Sequence, residues 1–227
     1  MVLLQDIPFS LDAEFLMKEL RVRPGTDSAK EFAELLDRVA EVGRPKALYE
    51  VSSIEARADD SVVVDGVRLT SRALLRNLDQ VERVFPYVAS CGIEADSLTT
   101  PDGDIVQSLW LWTIKEALLR AARDHLDEHL ATRYRMTHSA AMHPGSGDAD
   151  VWPIEQQVEL FSLLGDVEGL IGVRLTDSML MIPTMSVSGV VFPTETEFES
   201  CQVCHREGCP RRKAPFDEAV WRAACGD

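Results

Sequence analysis

The chain has 227 residues, 45% of them hydrophobic. That is enough for one substantial core, and no apolar run reaches the roughly 18–20 residues of a membrane span. Its 38 acidic and 23 basic residues give a net charge of −15, the reverse of what phosphate contact demands, so nucleic acid is not an expected partner. The opening Met1–Glu14 has no basic leader, and a cytoplasmic protein with no membrane association is predicted. The acidity serves solubility, or docking to a basic partner surface.

Residues 1–45 read as a helical N-terminal extension. Leu11, Phe15, Leu16 and Leu20 form one stripe, Arg23–Asp27 break it, and Ser28 with Glu31 has a capping-box pattern. Phe32, Leu35, Leu36 and Val39 continue at helical spacing, and Gly43 with Arg44-Pro45 closes the segment. From Ala47 to Leu69 the pattern turns to strands, with Asp65-Gly66 between two apolar runs as a hairpin signal. Ser71 then caps a short helix, and Val84 to Ala89 reads as another strand.

Asp104 to Leu130 predicts the longest helix. Its first half, with Ile105, Val106, Leu109, Trp110, Leu111, Trp112 and Ile114, is apolar nearly all round and is expected to be buried. Leu118, Ala121, Ala122 and Leu126 give the second half one inward face. Tyr134 to Met142 reads as strand or extended loop. Pro153 opens a helix whose expected inner face is Ile154, Val158, Phe161 and Leu164. Val173 to Phe192 alternates apolar and small or polar residues, interrupted by Pro183, and predicts two strands across a bend.

Met142–Asp148, M-H-P-G-S-G-D, is a tight turn between an extended segment and a helix. Gly145 and Gly147 admit positive φ and close backbone approach, and exposed amides in such a turn can hold a carboxylate. A plain connecting loop has the same pattern. His143 is either a ligand contact or a structural histidine. No P-loop, dinucleotide-binding fingerprint or Ser–His–Asp order is present.

The succession P-G turn, helix ending L-F-S-L-L, then L-T-D-S-x-x-M-x-P-x-x-S-V-S-G-x-x-F resembles the activation (reactivation) domain of cobalamin-dependent methionine synthase. The hairpin and helix of V-V-V-D-G-V-R-L-T-S-R-A-L-L are similar to its free-standing relatives. The likeness spans about residues 45–195. It implies an α/β (α+β) fold, a twisted antiparallel sheet with flanking helices. The organisation is then an extension at 1–45, an activation-like domain at 46–195 and a Cys-rich tail at 196–227.

The resemblance also implies a function, the reactivation of a corrinoid-dependent methyltransferase by reductive methylation of Co(II) cobalamin, with S-adenosylmethionine as methyl donor. The chain would act within that methyltransferase system, with the cobalamin on a separate binding protein or methionine synthase core chain, and with an electron-donor protein. Ligand contacts fall on His143, Pro144, Gly145, Ser146, Ser188 and Gly189. The family's ligand motif is R-x-x-x-G-Y. Here Gly145 matches, but Ala141 takes the arginine position and Ser146 the tyrosine position. Arg133, Arg135 or Arg174 would have to supply the guanidinium, or S-adenosylmethionine binding is lost.

The tail carries Cys201-x2-Cys204-x4-Cys209, with Cys225 further on. Two thiolates two residues apart start a tetrahedral metal site, and Cys225 or His205 completes it. The metal is zinc or a [4Fe–4S] cluster, with His205, Arg206, Arg211, Arg212 and Lys213 placed to offset thiolate charge. Disulfides or free thiols are the competing reading. An iron–sulfur electron-transfer module, or a zinc-stabilised docking module, without S-adenosylmethionine binding is the alternative function. Cys91 is expected to be a small buried residue.

Overall fold

The computed structural model describes the whole chain except residues 147–150, 196–197, 210–211 and 226–227, and except the side chains of 200, 224 and 225. The elements in chain order are β1 (Val2–Leu4), α1 (Ala13–Glu19), α2 (Asp27–Val42), β2 (Lys46–Tyr49), β3 (Ser52–Ala58), β4 (Ser61–Val64) and β5 (Val67–Thr70). Then come α3 (Arg72–Asn77), β6 (Arg83–Ser90), α4 (Ile93–Asp96), α5 (Ile105–Tyr134) and β7 (Ser139–Met142). The chain continues with a 3-10 turn (Ile154–Gln156), α6 (Gln157–Leu164), α7 (Val167–Ile171), β8 (Arg174–Leu175), β9 (Met181–Ile182) and β10 (Ser186–Pro193). A second 3-10 turn (Ser200–Val203) and α8 (Glu218–Cys225) complete it.

The expected α/β fold with an antiparallel sheet and flanking helices is present. β6 is its spine. β10 pairs with one edge of β6 and carries β7 on its outer side. The opposite edge pairs with β2 through Lys46↔Ser90 to Tyr49↔Tyr87, then with β3 through Ser52↔Val84 and Ser53↔Arg83. Pro86 lies where β2 gives way to β3. Its missing N–H costs little there, and its carbonyl accepts from the Glu50 amide at 3.0 Å. The Asp65-Gly66 turn joins β4 to β5 with both residues at positive φ, 43° and 81°, as a two-residue hairpin requires.

The pleat of β6 divides the core. Phe85, Tyr87 and Ala89 face one way and pack with Ala47, Tyr49 and Val191 against Ala122, Leu126 and Leu130 of α5. On the other side Val88 and Leu48 meet Leu164, Val167 and Ile171. Val84, Val190 and Phe192 meet Trp152, Leu160 and the α3 residues Ala73 and Leu74 there.

Several local expectations shift. The first residues of the chain are not helical: β1 pairs with β2 at the sheet edge. Thr26, not Ser28, caps α2, its Oγ1 accepting from the Ala29 amide at 3.2 Å. Ser71 caps α3 as expected.

The first half of α5 is only half-buried. Trp110, Leu111 and Ile114 pack on Phe32 and Leu35 of α2, but Ile105 is 82% exposed, with Val106, Leu109 and Trp112 exposed beside it. α2 covers one side of this half, and uniform apolarity gave no clue to which. The inner face of α6 is also rotated. Gln157, Leu160 and Leu164 are buried while Ile154 and Val158 are exposed. The preceding 3-10 turn advances the chain by three residues per turn rather than 3.6 and shifts the phase.

Candidate functional site: the turn beside the central strands

Two features of β10 position the candidate site. Gly189 is the cross-strand partner of Tyr87. A Cβ at Gly189 would lie 2.5 Å from the Met142 carbonyl oxygen, 2.8 Å from His143 Cδ2 and 3.2 Å from Tyr87 Cε1. A glycine is therefore required for β7, His143 and Tyr87 to close over this point. Ser188, one residue earlier, faces the opposite side of the sheet. It is buried, and its hydroxyl donates to Gln157 Oε1 at 3.2 Å. The Gln157 amide in turn donates to the Met179 carbonyl at 3.1 Å. The six expected ligand contacts thus do not share one surface.

The turn itself is built from internal hydrogen bonds. The Gly145 amide donates to the Trp152 carbonyl at 2.8 Å and the Ser146 amide to the His143 carbonyl at 3.1 Å. Pro144 is buried, Gly145 exposed, and His143 and Ser146 half-buried. Gly145 has φ 76°, and a Cβ there would strike Ile154 Cδ1 at 2.4 Å. Gly147 lies outside the described residues.

His143 Nε2 and the Tyr87 hydroxyl are hydrogen-bonded at 2.8 Å. Burial, then the positive charges of Arg123 and Lys213, push the imidazole pKa down to about 3. It is therefore neutral across the physiological range. Arg123 projects from α5 onto the same face, its guanidinium carbon 4.3 Å from the Tyr87 ring centroid. Its Nε donates to both Asp127 oxygens at 3.1 and 3.0 Å.

Ala141 packs into the same α5-facing cluster. The three arginines singled out from the sequence stand elsewhere. Arg133 is about 15 Å further along α5 than Arg123, Arg135 is the left-handed cap just beyond the helix, and Arg174 is exposed in β8 of the β8–β9 hairpin. Sequence reasoning missed Tyr87, Arg123 and Gln157. The available signal for Arg123 was a charge beside the inward stripe, four residues before Asp127.

In the tail, Arg212 organises the cysteine loop. Its Nη atoms donate to the carbonyls of Cys201 and Cys204, each at 2.9 Å, and of Arg206 and Ala214 at 2.6 and 3.2 Å. The Lys213 amide approaches Cys201 Sγ at 3.4 Å. Cys201, Cys204 and Cys209 are free and half-buried. Among the described residues, no three His, Cys, Asp or Glu side chains converge as metal donors; the side chain of Cys225 lies outside the described residues. His205 lies tilted against Phe216 and edge to face with Trp221, with centroids 4.1 and 5.1 Å away. Cys91 is fully buried, and burial followed by the Asp96 charge pushes its thiol up to about 12, so it stays protonated.

Residues 105–207, which hold α5, the turn and β10, match the family model of the vitamin B12 dependent methionine synthase activation domain. The fold is that of the MetH reactivation domain. Its crystal structure bound to AdoHcy superposes with a TM-score of 0.59 at 16% sequence identity, over 99% of this chain and 90% of that one. No curated protein matches the chain. Among the described residues, no helix is long and apolar enough to cross a membrane.

Proposed function

We propose that this chain supports reactivation of a corrinoid-dependent methyltransferase, and that it holds S-adenosylmethionine as methyl donor for reductive methylation of Co(II) cobalamin. The observation that carries this reading is the family match over residues 105–207, which contains both the turn and the Ser-Val-Ser-Gly strand. The AdoHcy bound to the MetH reactivation domain is the demethylated form of that donor. S-Adenosylmethionine supplies the methyl group, and the cobalt chemistry belongs to a cobalamin carried on a partner chain. This chain's share is orientation and exclusion of water. His143, Gly145 and Ser146 form the open side of the ligand site, with Gly189 buried beneath them. Pro144 and Ser188 hold the turn and strand from behind. The neutral imidazole of His143 accepts or donates one hydrogen bond without adding charge beside a sulfonium.

Isothermal titration of the purified protein with S-adenosylmethionine and AdoHcy tests the reading. Saturable one-site binding of both is expected. Absence of heat at millimolar ligand, with the protein folded, rules out the donor-binding role.

The tail carries a second proposal. Cys201, Cys204, Cys209 and Cys225 are assigned as ligands of zinc or a [4Fe–4S] cluster, with His205 the alternative fourth ligand. The approach of the Lys213 amide to Cys201 Sγ, and the loop gathered by Arg212, favour an ordered thiolate site. The tail lies near the turn, Val203 and Trp221 packing in one cluster with Met142 and Trp152, which favours the alternative function of electron delivery to a corrinoid. Anaerobic purification followed by metal and sulfide analysis is expected to give about one zinc, or about four irons and four sulfides, per chain. Serine replacement of Cys201 and Cys204 should abolish it. A metal-free protein with titratable thiols would discard the assignment.

A further inference from the structure

The first half of α5 leaves an apolar ridge uncovered. Ile105 is 82% exposed, and Val106, Leu109 and Trp112 are exposed beside it. From Ile105 to Ile114 the helix carries no charged side chain, in a chain where charged residues make up 27%. Single exposed apolar residues are ordinary. Four large ones over about two turns of one helix form a patch of the kind that marks a contact site. A tryptophan within it belongs to the residue type enriched among interface anchors.

Charge says what kind of surface covers the ridge. Asp102 and Asp104 stand at its N-terminal end, and α2, packed alongside, exposes Glu31, Glu34, Asp37 and Glu41. Lys115, the first base after the ridge, turns inward to Asp96 at 3.4 Å and is 12% exposed. A second copy of this chain would set these carboxylates against one another at a net charge of −15 apiece, and like-charged rims are penalised at an interface. A partner with an apolar centre and a rim of lysine and arginine meets no such cost.

Direction says which partner. Ile105, Leu109, Trp112 and Glu116 follow at spacings of four, three and four residues, and Arg123 lies five full turns beyond Ile105, so all five share one stripe of the helix. Arg123 lies over the Tyr87 ring, whose hydroxyl is hydrogen-bonded to His143 in the turn. The ridge therefore leads to the turn. From Leu109 to Arg123 is about 21 Å along the axis. A standard interface, about 800 Å² on each partner, is roughly 30 Å across, so one partner can cover both.

We propose that this ridge is the surface on which the cobalamin-carrying partner chain docks, through an apolar face rimmed by lysine and arginine. The assignment rests on the reactivation reading above. Leu109 and Trp112 anchor the contact, and the acidic rim speeds encounter with the basic one.

The test titrates the cobalamin-loaded methionine synthase core chain of the same source with the wild-type protein, Ile105→Glu, Leu109→Glu and Asp102→Lys. Leu180→Glu, a change at an exposed leucine of the β8–β9 hairpin, is the control. A 30-fold or larger loss of affinity is expected in Leu109→Glu and a smaller one in Ile105→Glu. Asp102→Lys should slow association, as should added salt, and Leu180→Glu should bind within threefold of wild type. Equal affinity in wild type and Leu109→Glu overturns the docking surface while leaving the reactivation reading standing. No binding by the wild type overturns both. A wild-type dimer that Leu109→Glu dissociates overturns the proposal in favour of a second copy, and binding to phosphatidylcholine vesicles that Leu109→Glu abolishes overturns it in favour of a lipid surface. Thermal unfolding of each variant verifies that the fold is retained.

Discussion

Lowering the pH from 7 to 5 should cost the folded protein about 2 kcal/mol through His143 alone. In the unfolded chain an imidazole takes up its proton near pH 6.5, whereas in the native state His143 resists protonation down to about pH 3. Between those values the unfolded state binds more protons, so stability falls as the pH falls. The contribution is intact above pH 6.5 and is lost progressively toward pH 3, at about 1.4 kcal/mol per pH unit. His129, depressed mainly by burial, adds in the same direction. Urea unfolding at pH 7, 6 and 5 measures the slope, and His143→Gln should flatten it markedly. The slope is the readout, because the variant also loses the imidazole's packing. An unchanged slope would mean that His143 takes up its proton in the fold at the same pH as in the unfolded chain.

Gly189→Ala should destabilise the protein by about 3 kcal/mol or more, a large effect for one methyl group. The added carbon meets the Met142 carbonyl at 2.5 Å. A backbone atom in a strand ladder cannot swing aside as a side-chain terminus does. Relief requires β7 to part from β10 or His143 to leave Tyr87. Gly66→Ala provides the contrast. Its φ of 81° carries the left-handed penalty but nothing lies within 4 Å of the new carbon, so about 1 kcal/mol is expected. Denaturant midpoints of both variants measure the difference. Comparable losses would show that β7 yields easily.

Periodicity and turn chemistry made much of the fold legible. The Asp65-Gly66 hairpin, the Ser71 cap and the strand over Val84–Ala89 each follow from a local rule. Features set by neighbours were not legible. The half-exposed start of α5 depends on α2 covering a single side, and the phase of α6 depends on a 3-10 turn that the sequence does not announce. The candidate site divides in the same way. The turn and the Ser-Val-Ser-Gly strand are local patterns, and the sequence showed both. Their back-to-back use of Ser188 and Gly189 follows from strand pairing, and the Arg123–Tyr87–His143 assembly joins residues from three elements. For the cysteines the sequence supplied spacing alone, and the described residues do not gather three of them.

The 30 residues of α5 give a rod of about 45 Å with two different loads. Its first half bears α2 through Phe32 and Trp110, whose rings meet edge to face at 5.7 Å. Its second half bears the sheet through Ala122, Leu126 and Leu130. A helix hydrogen-bonded end to end melts far more readily as a unit than in the middle. The N-terminal helices and the sheet are therefore fastened to one beam, and slow-exchanging amides should run continuously along it, binding the two regions into a single cooperative unit.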